Sequence, residues 1–292
     1  MNIVQIHSGL GNQMFQYAFY AALKQHMPDT KIDASVYRHR PSHNGYELER
    51  IFAIRPDHAL SAERRQMADI DKDLFSVLRR ALGWRRHTTG IVLTEPDPAE
   101  GWQPQLLHAE NSYLTGYWQT EKYFTDIADR IRSDFQFRLP LPKADKELAQ
   151  EIQSTNSVSV HIRRGDYLKE RRKADYNVCT ETYYRCSIKY MQDHVKQPVF
   201  YVFSDEPEWG KMQNFFPQDT VFVSGHCGKD AYIDMQLMSL CKHHIIANSS
   251  FSWWGAWLGE KENTIVAAPR IWFRYRPRPD ILPARWIAID VD

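Results

Sequence analysis

Residues Ser157–Tyr167 read SVSVHIRRGDY, and this stretch decides the fold. Its first half alternates between the two faces of a β-strand, as side chains do in extended backbone. One face carries Val158, Val160 and Ile162, and the other carries Ser159, His161 and Arg163. The alternation therefore predicts a buried strand that ends at a pair of arginines.

The two arginines, Arg163 and Arg164, are followed by Gly165, which can turn the chain. Ligands of open α/β sheets bind at the carboxyl ends of the strands, so the arginines stand where a ligand is expected. Their planar guanidinium groups suit a phosphate or diphosphate. A salt bridge to Asp166 within the motif is the alternative, because buried guanidinium groups need some anionic partner.

At 292 residues the chain is long enough for two domains. Two prolines in 139–142 place the boundary there, giving domains 1–140 and 141–292. The second half alternates strands and helices, which predicts a doubly wound parallel sheet of the α/β class. Strands are predicted near 157–163, 198–204, 220–224, 243–247 and 263–267. Helices are predicted near 143–154, 180–195, 206–215, 229–242 and 250–259.

The first half opens with a predicted strand over 3–7, a turn over 8–12 and a helix over 13–26. The turn is not a dinucleotide fingerprint, because Met14 stands where the third glycine would be. Apolar residues at helical spacing predict one helix over 67–82, with basic residues at 79–86. Further strands are predicted over 30–35, 90–94 and 112–117, and a helix over 123–135.

Composition excludes several classes of protein. The formal net charge of +1 argues against general nucleic-acid binding. No signal peptide and no apolar run of membrane-spanning length is apparent, so we expect a cytoplasmic protein. The four cysteines are irregularly spaced without a CxxC pair, which indicates reduced thiols and no zinc site.

Two further segments could meet an anion at the same edge of the sheet. Residues 248–251 follow a predicted strand and open a helix, whose free N–H groups and hydroxyls attract anions. Plain N-capping by a serine is the alternative. Asp205 and Glu206 follow another strand and could hold Mg²⁺ with a diphosphate, but capping of the next helix is favoured. The tryptophans at 253, 254 and 257 are expected to pack the helix onto the sheet.

Four segments together resemble the bacterial α-1,2-fucosyltransferases, glycosyltransferase family 11. They span most of the chain in the family's order. They are Gly9–Ala18 (GLGNQMFQYA), Gly116–Phe124 (GYWQTEKYF), His161–Tyr167 (HIRRGDY) and Ala247–Trp257 (ANSSFSWWGAW). The resemblance implies a GT-B-like α/β fold with two Rossmann-type domains facing a central cleft. It also implies inverting transfer of L-fucose from GDP-fucose to the 2-hydroxyl of a terminal β-galactoside, without a required metal.

The resemblance also assigns roles to residues. Arg163 and Arg164 would grip the diphosphate and His161 would lie beside the nucleotide. Asp234, sixteen residues before Ser250, matches the family's guanine-binding acid and phosphate-binding serine in spacing. The full donor set is His161, Arg163, Arg164, Asp205, Asp234, Asn248, Ser249, Ser250 and Phe251. On the acceptor side, the resemblance implies His7, Gly11, Asn12 and Gln13.

The catalytic set is Arg163, Asp166 and Glu170. Arg163 would stabilise the leaving diphosphate, and Asp166 is the first choice for the base, with Glu170 and His7 as rivals. Related α-1,6-fucosyltransferases have a glutamate ten residues after the motif histidine, where this chain has Arg171.

Two functional alternatives stay open: transfer of another GDP-deoxysugar, and non-catalytic binding of a nucleotide or glycan. The expected acceptor is a galactoside oligosaccharide or a lipid-linked glycan. The basic segments 79–86 and 270–285 could contact that acceptor or the inner face of a membrane.

Overall fold

The structure is a computed structural model that describes residues 1–39, 43–71 and 73–291. The chain divides into two compact units, Met1–Arg138 and Leu139–Asp292. The sequence placed this division after residue 140, within the same proline-containing stretch. The assignment of the two units to acceptor and donor stays a prediction.

Unit 1 is built on four parallel strands. They are β1 (Asn2–Gln5), β2 (Thr30–Asp33), β3 (Ile91–Thr94) and β4 (Ser112–Thr115), in the order β2-β1-β4-β3. Its α-helices are α1 (Leu10–His26), α2 (Val36–His39), α3 (Leu48–Ile51), α4 (Ser61–Met67), α5 (Leu74–Ala81) and α6 (Ala128–Asp134). Short 3-10 helices lie at Pro98–Glu100, Pro104–His108, Glu121–Tyr123 and Thr125–Ile127.

The glycine-containing turn after β1 is shorter than predicted, because α1 begins at Leu10. Gly9 is the N-cap, and its carbonyl accepts hydrogen bonds from the amides of Asn12 and Gln13. Gly11 and Asn12 therefore lie in the first turn of the helix, and the predicted turn over 8–12 was too long.

The single helix predicted over 67–82 was wrong. Helix α4 ends at Met67 and α5 begins at Leu74, with Asp73 capping α5 through Ser76. The apolar residues keep a 3.6-residue spacing across the break between α4 and α5, but Asp73 caps and so starts a new helix. The large apolar side chains of α5 are exposed.

Unit 2 is built on six parallel strands. They are β5 (Asn156–Ile162), β6 (Pro198–Ser204), β7 (Val221–Val223), β8 (His243–Ile245), β9 (Val266–Pro269) and β10 (Ile287–Ile289), in the order β10-β9-β8-β5-β6-β7. Its α-helices are α7 (Lys143–Ser154), α8 (Glu170–Tyr176), α9 (Glu181–His194), α10 (Pro207–Lys211), α11 (Tyr232–Leu240) and α12 (Ser250–Gly259). Two 3-10 helices lie at Gly165–Leu168 and Gly228–Asp230.

The alternating pattern predicted for unit 2 is confirmed. Each predicted strand and helix is present, although several are shorter than predicted. The sequence did not predict α8, nor the edge strand β10 in the tail. A parallel sheet covered by helices on its faces buries its strands throughout, and β5 is buried from its second residue onward.

The core of unit 2 forms where α9 packs on the sheet. Tyr183 and Tyr184 of α9 are fully buried beside Val158 and Val160. The three tryptophans of α12 are also buried, so the prediction that they pack the helix is confirmed. Trp253 also donates from Nε1 to the carbonyl of Ile281, which anchors the tail.

Two chemical expectations can be compared with the structure. All four cysteines are free thiols, as their spacing predicted. In the part of the chain that the structure describes, none of the helices combines the length and apolarity needed to cross a bilayer.

Removing the Tyr183 hydroxyl tests how α9 is fixed to the sheet. The Tyr183 Oη donates to the carbonyl of Ile246 at 2.6 Å and lies 3.3 Å from that of Ala267. Tyr183→Phe keeps the ring but leaves buried carbonyl oxygens without this donor, so we expect a loss of about 1–3 kcal/mol in unfolding free energy. Urea unfolding measures it. Tyr190→Phe, at a partly exposed position of α9, is the control and should change stability by less than about 0.5 kcal/mol.

Candidate active site

The candidate site lies where three neighbouring parallel strands end. Strand β5 pairs with β6 on one side and with β8 on the other. The segments that leave these strands contain candidate site residues within 163–166, 205–206 and 248–251. We call this region the β5-edge site.

Arg163 is held by two carboxylates at the β5-edge site. Its Nη2 donates to Oδ1 of Asp166 at 2.6 Å, and its Nη1 lies 3.1 Å from Oδ2 of Asp205. Burial alone would lower the pKa of Arg163, but these two carboxylates raise it above its ordinary value. The salt bridge to Asp166 that the sequence allowed as an alternative is therefore present, and it fixes the direction of the guanidinium group.

Arg164 is fixed by the segment that follows β6. Its backbone N–H donates to Oδ1 of Asp205 at 2.9 Å, and its Nε donates to Oε2 of Glu206 at 3.2 Å. Its guanidinium group also stacks 4.1 Å over the ring of Trp209.

The favoured interpretation of Asp205 and Glu206 as helix caps was wrong. Glu206 occupies the N-cap position of α10 without a side-chain capping bond. Both carboxylates contact arginines instead, because β5 and β6 end side by side. In the described parts of the chain, no group of three or more His, Cys, Asp or Glu side chains is arranged to hold a metal ion.

Gly165 permits the close approach of Asp205. A Cβ atom at this position would lie 2.9 Å from Oδ2 of Asp205 and would displace that carboxylate from its place beside Arg163. The glycine therefore leaves room for the contact between the arginine loop and the β6 end. After it, the 3-10 helix places Tyr167 so that its Oη donates to the carbonyl of Asn248 at 3.1 Å. Tyr167, which the sequence did not single out, ties the β5 loop to the β8 loop.

His161 lies on β5, two residues before Arg163, and it is buried and neutral. Burial, aided by the charge of Arg163, lowers the pKa of His161 to about 3. Its ring lies 5.8 Å from that of Phe251 at the start of α12. Over residues 1–39, 43–71 and 73–291, its Nδ1 atom is among the few buried polar side-chain atoms without a hydrogen-bond partner. Such an atom is a ready contact for a bound polar ligand.

The candidate residues at the start of α12 differ in their contacts. Asn248 is buried, and its Nδ2 donates to the carbonyls of Tyr176 and Trp272 at 3.0 Å each. Both amide hydrogens are thus used inside the protein, where they hold the loop, and contact of Asn248 with the GDP-sugar stays a prediction. Ser249 is the N-cap and accepts from the amide of Phe251, as the capping alternative required. Ser250 is partly exposed in the first turn of this ten-residue helix.

Asp234 is partly buried in the first turn of α11 and belongs to a chain of three side chains. His226 Nδ1 lies 2.6 Å from Oδ1 of Asp234, and its Nε2 lies 3.2 Å from Oδ1 of Asp145. The hydrogen bond to Asp234 raises the pKa of His226, while burial raises that of Asp234. Two carboxylates around one imidazole suit its positively charged form. The sequence missed His226 and Asp145 because only the fold brings 145, 226 and 234 together.

In unit 1, the predicted acceptor residues gather around the start of α1. His7 is partly exposed, and its Nδ1 lies 2.9 Å from the Ser8 hydroxyl. Asn12 accepts from Nε2 of Gln119 at 2.7 Å through its side-chain oxygen. Gly11 is buried in the first turn.

Gln13 is fully buried, and all parts of its amide are used inside unit 1. Its Nε2 donates to the carbonyls of Ser8 and Gly45, and its Oε1 accepts from the amide of Glu47. These bonds hold the turn after β1, and contact of Gln13 with the acceptor stays a prediction. Glu170, the remaining candidate, is exposed at the first position of α8.

Known proteins resemble this chain in sequence. The family model of Glycosyl transferase family 11 matches residues 105–289. An α-1,2-colitosyltransferase of Escherichia coli is 33% identical over 99% of this chain and 98% of its own length. The O-antigen biosynthesis glycosyltransferase WbnK of the same species is 31% identical over 97% and 98%. A galactoside α-(1,2)-fucosyltransferase 1 of Saimiri boliviensis boliviensis is 26% identical over 71% of this chain and 63% of its own length.

Solved structures resemble it in fold. The fucosyltransferase NodZ from Bradyrhizobium aligns with a TM-score of 0.51 at 14% identity, over 87% of this chain and 91% of its own. POFUT1 in complex with GDP-fucose aligns with a TM-score of 0.50 at 11% identity, over 91% and 97%. At such identities the likeness shows the fold alone, which is α/β of the GT-B type as the resemblance implied.

Replacing His226 tests the chain of three side chains through its pH dependence. Because the folded-state pKa of His226 is raised above 6.5, its stabilising effect is complete below that pH and is lost as pH rises through the raised value. We expect His226→Gln to lower the unfolding free energy by about 1–3 kcal/mol near pH 6 and by less at pH 9. Urea unfolding at both pH values measures this. His194→Gln, at an exposed site on α9, is the control, and an equal loss at both pH values would contradict the charged pairing.

Proposed function

The chain belongs to glycosyltransferase family 11, and from that premise we propose that it transfers L-fucose from GDP-fucose to a glycan. The bond formed would be α-1,2, to the 2-hydroxyl of a terminal β-galactoside in a surface glycan, with inversion at the anomeric carbon. The observation that carries this proposal is the meeting of Arg163, Arg164 and the start of α12 at the β5-edge site.

The β5-edge site suits a diphosphate leaving group. Each guanidinium group has five N–H donors, and the carboxylate contacts described above use two in Arg163 and one in Arg164. Hydrogens are therefore left on both arginines for phosphate oxygens. The first turn of α12, with Ser250, adds backbone N–H groups and the positive end of the helix dipole. These donors would stabilise the charge that builds on the diphosphate as the bond to fucose breaks.

The nucleotide base would be recognised by Asp234 and His161. A carboxylate can accept the two N–H donors that guanine presents on one edge, and His226 holds Asp234 in one orientation. The neutral ring of His161 can offer its buried Nδ1 to the nucleotide. Phe251, whose ring is beside His161, would pack against the same ligand.

We propose that no metal ion takes part. In many nucleotide-sugar enzymes a divalent cation neutralises the diphosphate, and here two guanidinium groups and a helix start can supply that charge. The carboxylates at this edge, Asp205 and Glu206, face arginines, so they act as orienting groups for the cations.

The acceptor hydroxyl must lose its proton to a base as it attacks. Asp166 is our first choice, and Glu170 and His7 are its rivals. Asp166 is partly exposed and bridged to Arg163, so it also positions that arginine. A base role for Asp166 would couple proton removal to the group that grips the leaving diphosphate.

Transfer of a different GDP-deoxysugar is the second candidate function. It is favoured by the 33% identity to a protein named α-1,2-colitosyltransferase, against 26% to the galactoside α-(1,2)-fucosyltransferase. Colitose is L-fucose without its 3-hydroxyl, so the two donors share the GDP part and differ at one position of the sugar. The non-enzymatic alternative is a protein that binds GDP without turnover.

A donor-by-acceptor screen decides among these functions. We expect release of GDP from GDP-fucose with a β-galactoside acceptor, at an unchanged rate in excess EDTA, and an α-1,2 linkage by NMR of the product. Faster turnover of GDP-colitose would support the second candidate. Binding of GDP without turnover of either donor, across β-galactoside acceptors, would contradict both. Loss of activity in EDTA that Mg²⁺ or Mn²⁺ restores would contradict metal independence.

Truncating Arg163 tests the diphosphate role. Arg163→Ala removes donors that act on the leaving group, so we expect kcat to fall by about 10²–10³-fold or more. Arg185→Ala, which removes an exposed guanidinium group on α9, is the matched control and should keep normal turnover. Circular dichroism checks that both variants fold. Normal turnover by a folded Arg163→Ala protein would contradict the role.

A further inference from the structure

Helix α5 turns its apolar face to solvent and its polar face to the protein, the reverse of an ordinary surface helix. Its polar side chains face the protein, with Ser76 buried and Arg79 and Arg80 largely covered. Its large apolar side chains face solvent, together with two residues that follow the helix. This apolar surface of α5 consists of Leu74, Phe75, Val77, Leu78, Leu82 and Trp84.

The exposure of this surface is large. Leu74, Phe75 and Trp84 are 70% or more exposed, and Leu82 is 68% exposed. Single apolar side chains on a surface are ordinary, but six within eleven residues form a patch of the kind that marks an interaction site.

Salt bridges keep this surface outward. Arg79 and Arg80 both pair with Asp69, and the Nη2 of Arg80 donates to the carbonyl of Asp71. Arg86 pairs with Asp71 at 3.2 Å, and its backbone N–H donates to Asp69. The hydrogen bond from Arg79 lowers the pKa of Asp69 to about 2, so the pairing holds throughout the neutral range. Turning the apolar side chains inward would break all of these contacts.

The arginines near this surface differ in how they are held. Residues 74–94 contain four arginines, and three aspartates precede them at 69, 71 and 73. Arg79, Arg80 and Arg86 are engaged by aspartates, whereas Arg85 is exposed directly after Trp84. Leucine, phenylalanine and tryptophan beside an arginine form the side-chain set of helices that lie in the interface of an anionic membrane.

The size of the surface argues against a second copy of the chain as its main occupant. A stable protein interface uses about 20–30 residues on each side. The apolar surface of α5 has six residues, and an eight-residue helix is about 12 Å long. A bilayer needs no complementary surface, because the side chains only have to enter the boundary between headgroups and acyl chains.

We propose that the apolar surface of α5, with Arg85 beside it, docks the protein onto an anionic lipid surface. The helix lies in the plane of the interface. Its leucines and Phe75 enter the acyl boundary, Trp84 sits at headgroup depth, and Arg85 contacts lipid phosphates. This proposal does not depend on the donor or acceptor of the transferase reaction.

Flotation with lipid vesicles tests the apolar part of the proposal. Vesicles of equal parts phosphatidylglycerol and phosphatidylcholine should carry the wild-type protein upward. The double variant Phe75→Ser/Leu78→Ser should partition about tenfold more weakly or worse, because it loses two inserted side chains. The control is Met212→Ser, which removes an equally exposed apolar side chain from unit 2 and should float like wild type. Thermal unfolding checks that the variants are folded. We expect them to fold because the substituted side chains are exposed.

The same vesicles test the electrostatic contribution to membrane binding. Arg85→Glu should weaken partitioning at least about fivefold, as should vesicles of phosphatidylcholine alone or high salt. Failure of the wild type to float, or equal flotation of the Phe75→Ser/Leu78→Ser variant, would overturn the proposal. A dimer of the wild type in light scattering that becomes a monomer in that variant would assign the surface to a second copy instead.

Discussion

The parallel pairing of β5 between β6 and β8 is the constraint on which the β5-edge site depends. In the register between β5 and β6, Ile162 stands opposite Ser204, so the next residues on each strand, Arg163 and Asp205, leave the sheet side by side. A slip of one residue would turn every side chain of β5 to the other face and separate these partners. The charged contacts of the site thus follow from backbone hydrogen bonds made deep in the core.

Arginines and carboxylates are paired at the β5-edge site. Arg163 pairs with Asp166 and Asp205, and Arg164 pairs with Glu206. Under the proposed function, the direction in which these carboxylates hold the two guanidinium groups contributes to the attraction for a diphosphate. The start of α12 adds the positive end of a helix dipole, about half an elementary charge. A site arranged in this way needs little reorganisation when charge develops on a leaving group.

The sequence predicted unit 2 well because buried parallel strands are apolar runs bounded by turn residues, and because helices between them keep a regular period. The sequence did not predict features that depend on the direction in which a helix face points or on contacts between residues far apart in the chain. The spacing of Leu74, Leu78 and Leu82 predicts a helical stripe whether that stripe faces the core or solvent. Its direction depends on contacts such as the pairing of Asp69 with Arg79 and Arg80. Likewise, the capping interpretation of Asp205 considered its neighbours in sequence, whereas its partners are Arg163 and the amide of Arg164.

Hydrogen-bond capacity separates residues that shape the site from those that can meet a ligand. A side-chain amide has two hydrogens to donate, and Gln13 and Asn248 give both to backbone carbonyls of the protein. The guanidinium groups of Arg163 and Arg164 and the buried Nδ1 of His161 keep capacity beyond their internal contacts. The proposed nucleotide contact would give the buried Nδ1 of His161 a partner.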